Sequence, residues 1–258
     1  MNNLLFFDII KMVNDMKDEL MRLEKKLKET PTKEVKEQLI RALDNVCFLY
    51  EDDNPTAFFG MCIRKKELAK EIYEEVENDD YRYLYARTIL DVAICLLNQN
   101  KTAEAEIEIE KAYSLLVNSD EDEESYFDNN MNLDNDFLSL LIDCCDTYGS
   151  ILEQSDKLVP AFNVYMKKYV ACLDYQDNSE EDIIEEINKT ITTQLLPLLE
   201  QIENYEFSME ICEAYFDFNE KDYSKKNEDF NYVLEYYKKC CKKQKNKEAL
   251  IAVKKRFK

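Results

Sequence analysis

The side chains in this sequence best able to do chemistry are its nine cysteines, Cys47, Cys62, Cys95, Cys144, Cys145, Cys172, Cys212, Cys240 and Cys241. A thiol can act as nucleophile, metal ligand or disulfide partner, and each role has its own spacing signature. None is present: the cysteines stand singly or as CC pairs inside apolar stretches, there is no CxxC, and their number is odd. They read as reduced thiols filling the core of a cytosolic protein, with a zinc site drawn from four of them as the alternative. Histidine is absent, which removes the usual general base, His-containing triads and imidazole ligands. With two glycines, Gly60 and Gly149, no glycine-rich phosphate loop can be built. The expectation is a protein that is not an enzyme and carries no cofactor or metal.

At 258 residues and 45% hydrophobic content the chain can bury a full core as one domain or one continuous stack of helices. Two glycines and four prolines supply few of the turns that a sandwich or barrel needs, so the fold class is expected to be all-α. The net charge of −21 is unevenly spread. From Lys238 to Lys258 ten Lys or Arg stand against one acid, Glu248, so the first 237 residues hold 24 bases and 54 acids. An acidic body with a basic tail disfavours nucleic acid and favours basic partners, with attraction screened beyond roughly 8 Å at physiological salt. The opening run LLFFDII holds Asp8 with no basic segment before it, so it does not read as a secretory signal. No run approaches membrane-spanning length. The expected location is the cytoplasm, with the nucleus as the alternative.

The clearest element is the stretch from Asp79 to Val117. Ile89, Val92, Ala93 and Leu96 fall on one face of a first helix, and Ala105, Ile109 and Ala112 on one face of a second, joined by the turn LNQNK. Ala93, Ala105 and Ala112 allow the two backbones to approach closely. This spacing is that of a tetratricopeptide-like hairpin, a scaffold rather than an activity. Before it, residues 4 to 28 keep an alternating three-four seam (Phe6, Ile9, Val13, Met16, Leu20, Leu23, Leu27) that suits a neighbour in the stack or a dimer partner. Thr30 and Pro31 are expected to cap a second helix from Thr32 to about Tyr50, and EDDNP to break the chain before a third from Ala57 to Val76. Residues 118–136 carry eight acids and no base and read as an acidic loop. Further helices are expected over Phe137 to Glu153 and Leu158 to Leu173, with Gly149 and Ala161 at the close approach. Tyr205 to Phe218 and Phe230 to Cys241 follow, then a basic amphipathic end.

The run Asp80-Tyr81-Arg82-Tyr83-Leu84, with Ala86 after it and Ala112-Tyr113 one hairpin later, resembles the fifth and sixth helices of the 14-3-3 family. Asp15-Met16, then Thr32, Glu34, Lys36, Leu39, Ala42 and Asn45-Val46, resemble its second and third. Ile151-Leu152, Ser155, Lys157 and Leu173-Asp174 resemble the seventh and eighth, and Ser179-Glu180-Glu181 with Gln194-Leu195-Leu196 the ninth. The resemblance covers most of residues 11 to 203. It implies a 14-3-3-like domain over 1–203, remodelled at 51–79, with additional C-terminal helices over 204–258. It also implies a homodimer.

The family's groove clamps a phosphoserine or phosphothreonine with two arginines, a lysine and a tyrosine, because guanidinium groups bind phosphate bidentately. Carried over, its arginine-tyrosine pair falls on Arg82 and Tyr83, and its backbone-fixing asparagine on Asp143. Its apolar wall positions on the ninth helix fall on Leu195 and Leu199, with Pro197 between them. The basic positions of its third helix fall on Asp44 and Glu51, and no basic residue occurs between Ala42 and Ile63. Two carboxylates there would repel a phosphate. The resemblance therefore implies an adaptor for proteins or phosphopeptides whose phosphate recognition is weakened or altered. The segment 238–258 is a candidate occupant of the acidic groove in cis. The alternative is a tetratricopeptide-like acidic scaffold or chaperone for basic clients.

Overall fold

The computed structural model describes residues 2–51, 54–117, 134–175, 181–219 and 228–257. All regular structure in them is helical. The chain divides into two compact units at Ser119 and Asp120.

In the first unit, α1 (Asn2–Glu29), α2 (Lys33–Cys47), α3 (Pro55–Val76), α4 (Asp79–Asn98) and α5 (Thr102–Leu116) each pack on the next. Their core gathers Leu23 and Leu27 of α1, Val35, Leu39, Ile40 and Leu43 of α2, and Leu68, Ala69 and Ile72 of α3. The C-terminal half of the α1 seam is thus used within the unit. The α4–α5 hairpin forms as its spacing predicts: Ile89, Val92, Ala93, Leu96, Ala105, Ile109 and Ala112 are all buried. Two helix starts differ from expectation. Thr32, not Thr30, is the N-cap of α2, and its side chain makes no capping hydrogen bond. The third helix begins at Pro55 instead of Ala57, because Asn54 Oδ1 accepts from Ala57 N–H and proline suits the first turn.

The second unit holds α6 (Asn135–Gln154), α7 (Leu158–Asp174), α8 (Glu181–Lys189), α9 (Leu196–Gln201), α10 (Tyr205–Phe218), α11 (Glu228–Lys243) and α12 (Lys247–Arg256). The acidic loop expected over 118–136 lies outside the described residues as far as 133. Asp134 caps α6 by accepting from Phe137 N–H, so Asn135 and Asp136 are already helical. In the α6–α7 hairpin a Cβ on Gly149 would lie 2.4 Å from the Tyr165 ring, so this glycine is required by close approach. The helices after residue 203 pack with α9 and with one another inside this unit.

A π-helical segment, Thr190–Leu195, joins α8 to α9. Pro197 supplies the reason, since it lacks the N–H that would reach the Thr193 carbonyl and its ring crowds that oxygen. The backbone widens just before it, and Leu196 N–H donates to the Ile191 carbonyl. Thr192 and Thr193 hydroxyls donate back to the Asn188 and Lys189 carbonyls.

Candidate peptide-binding surfaces

The resemblance brings Arg82 and Tyr83 together with Asp44 and Glu51, and all four lie in the first unit. Arg82 is in the opening turns of α4, where its Nη2 pairs with Asp79 at 3.1 Å. Tyr83 beside it is half-buried. The preceding Tyr81 donates its hydroxyl to Glu37, near the start of α2, and Lys33 covers the Tyr81 ring. Helices α2 and α4 therefore run side by side in the same sense, with α3 returning between them. Asp44 is two turns beyond Glu37, about 10 Å along the axis, and Glu51 lies in the turn that follows the end of α2 at Cys47. Arg82 and Glu51 thus occupy opposite ends of the layer, and the structure does not gather a clamp from these positions.

Asp44 is engaged elsewhere. Lys65 of α3, 6% exposed, reaches its carboxylate at 2.8 Å and that of Asp91 on α4 at 2.8 Å. Burial disfavours the ammonium ion, but the two carboxylates outweigh it and hold the Lys65 pKa well above the usual lysine value. Asp44 therefore faces a buried cation of α3 that it shares with Asp91. Beneath it, Cys62 and Cys95 lie with their sulfurs 3.7 Å apart.

In the second unit the same arrangement recurs. Lys168 of α7, with no exposed surface, pairs with Asp146 of α6 at 2.5 Å and Glu186 of α8 at 2.6 Å. Lys168 also donates to Gln194, which in turn donates to Asp146. The separations agree on the N-terminal side, where Lys65 stands 21 residues after Asp44 and Lys168 22 after Asp146, and differ for the second acid, which lies 26 residues after Lys65 and 18 after Lys168. A lysine on a middle helix, gripped from the helices before and after it, is a feature of both units.

Asp143, one turn before Asp146, opens onto a cleft of about 360 Å³ that Asp182, Glu186 and Lys189 also line. Partial desolvation, with the carboxylates of Asp146 and Glu186 nearby, raises its pKa above the usual aspartate value. The two leucines expected as groove wall are corrected: Leu195 and Leu199 are both fully buried in the interior of their unit. They bracket Pro197, where the π-helical segment gives way to α9, and their side chains go to the core.

All nine cysteines are free and buried. Burial pushes the Cys144 and Cys172 thiols up to about 12, so both stay neutral near pH 7. No group of cysteines and acids suited to a metal ion occurs among the described residues.

A further surface, not anticipated from the sequence, runs along α10. Glu206, Glu210, Glu213 and Asp217 recur on one face and line a groove of about 790 Å³, together with Met209, Ala214 and Tyr237. The spacing i, i+4, i+7, i+11 was legible in the sequence as a helical stripe. At one end of the row Arg256 pairs with Glu213 at 3.3 Å and Asp217 at 2.7 Å. Phe257 anchors the chain end on Phe216, with ring centroids 4.7 Å apart, and on Phe230. The basic segment is therefore attached to α10 in cis. Its first residues belong to α11, where Cys240 and Cys241 are core residues, so removing all of 238–258 would damage the unit.

No protein-family model matches the chain, and a search of curated proteins found no significant match.

Proposed function

We propose that the protein is a non-enzymatic scaffold of stacked helices that binds proteins or peptides, an adaptor of 14-3-3-like design in which phosphate recognition has given way to recognition of basic segments. The observation that carries this reading is the state of its cations. Arg82, and Lys65 beside the clamp position Asp44, are each held by intrachain carboxylates in the first unit, and in the second unit the buried Lys168 is held in the same way. A phosphate would have to displace those carboxylates and lose their hydrogen bonds, whereas an incoming arginine or lysine meets acids still open to solvent. The acidic-scaffold alternative and the adaptor reading thus converge on one ligand chemistry. No helix among the described residues is long and apolar enough to cross a membrane.

The test is fluorescence anisotropy with an unphosphorylated Arg-Ser-Ala-Ser-Ala-Pro peptide at rising salt. The expected result is binding that weakens several-fold between about 50 and about 300 mM salt, because exposed charges are screened over that range. Absence of binding at the lowest salt contradicts the proposal. Arg82→Ala is expected to leave the affinity unchanged, and a large loss would restore Arg82 to a binding role.

A further inference from the structure

We infer that the groove along α10 is the docking site for an arginine-bearing, unphosphorylated peptide segment of another protein, and that Arg256 of the chain itself occupies one end of it. This inference rests on the preceding reading and gives it a place.

The argument begins with the row of carboxylates. Successive acids at Glu206, Glu210, Glu213 and Asp217 place a charge at every turn of α10 over about 16 Å. Glu213 and Asp217 already hold a guanidinium, that of Arg256. No cation among the described residues pairs with Glu206 or Glu210, and both side chains are exposed. The chain therefore demonstrates at one end of the row the contact that a partner would make at the other.

The groove is more than an acidic stripe. Met209, Ala214 and Tyr237 give it apolar surface, Gln244 and Asn246 close its side, and its volume of about 790 Å³ is ample for several side chains. Tyr237 donates its hydroxyl to Glu213, which fixes that carboxylate and turns it toward the guanidinium of Arg256. Methionine adapts its shape to different apolar neighbours, so the floor suits leucine-like side chains alternating with the cations. An arginine one helical turn from the next would match the step from Glu206 to Glu210. Its planar fork binds a carboxylate in two-point fashion, which a lysine does not.

The test compares three variants of the full chain using a fluorescein-labelled peptide in which arginines recur one helical turn apart with leucines between them. Glu206→Gln/Glu210→Gln removes two charges from the groove. Glu104→Gln/Glu110→Gln removes the same charge from exposed positions on α5. Since all four positions are exposed, circular dichroism is expected to show the same helix content in both. Losing two charge-assisted contacts should weaken binding about tenfold or more in the groove variant and less than about twofold in the control. Arg256→Ala should tighten binding several-fold by freeing Glu213 and Asp217. Equal loss in the two double variants would overturn the groove while leaving the acidic-scaffold reading intact. No binding by the unaltered chain would overturn both. Unchanged or weaker binding by Arg256→Ala would overturn the role given to Arg256.

Discussion

Asp143 and Asp146 lie one turn apart on α6 and respond to pH in opposite senses. Burial works against ionised Asp146, but hydrogen bonds from Lys168 and Gln194 outweigh it and bring its pKa below the usual value of 3.8. Its contribution to stability is complete above pH 3.8 and is lost as pH falls through the lower folded value. For Asp143 desolvation dominates, the nearby carboxylates add to it, and the pKa is raised. The folded state binds that proton more tightly than the unfolded one, so ionised Asp143 opposes folding at neutral pH, and the penalty fades as the carboxyl protonates. Asp143→Asn is therefore expected to raise Tm at pH 7, with the gain disappearing by about pH 3. A gain of equal size at both values would show that the effect is not electrostatic. These individual environments were hidden in the sequence. Among 55 acids any one aspartate looks solvated, and nothing local to Lys65 or Lys168 announces that a carboxylate from the preceding helix and another from a later one will close over it.

The helices themselves were more legible than their ends. Alanines 93, 105 and 112 and Gly149 marked the close approaches because small side chains at helical spacing have few other uses, and all four are buried. The turns were read less well. The tight turns between helices are made without glycine: Asn100, Asp156, Glu203 and Lys245 all adopt left-handed backbone. At each, the following N–H reaches a carbonyl five residues back: Leu96, Leu152, Leu199 and Cys241. This is the Schellman closure, made here by polar residues at some cost. Two substitutions with glycine chemistry should then act in opposite directions. Glu203→Gly is expected to stabilise by about 0.5–1 kcal/mol through relief of the left-handed strain, less whatever freedom glycine adds to the unfolded chain. Gly149→Ala is expected to destabilise by about 1–3 kcal/mol, since the new methyl would meet the Tyr165 ring. Urea unfolding of the two variants checks both signs. The π-helical segment was foreshadowed by Pro197, although proline alone does not say whether a helix will break, kink or widen.

For the whole molecule, fold class followed from composition and periodicity, because a chain this poor in glycine and proline with apolar residues at helical spacing has few other ways to bury a core. The site did not follow as directly. Arg82 and Glu51 lie apart because Asn78 starts α4 four residues ahead of the arginine by accepting from Tyr81 N–H, as the stretch beginning at Asp79 predicted, while Glu51 follows the end of α2. Where a helix begins decides which end of the layer its side chains occupy, and a short motif carries no information about that. The excess of acid, from which basic partners are expected, is laid out along α10 as an ordered row, and Arg256 of the same chain pairs with two of its members. The central claim is that recognition runs through carboxylates and needs no phosphate. It is tested most directly by comparing the affinity of the full chain for Arg-Ser-Ala-Ser-Ala-Pro with and without phosphate on the second serine. The unphosphorylated peptide is predicted to bind at least as tightly as its phosphorylated twin, since the added charge of about −2 is repelled by the acidic surface. A clear preference for the phosphorylated form would contradict the claim and return Arg82 and Tyr83 to the centre of the site.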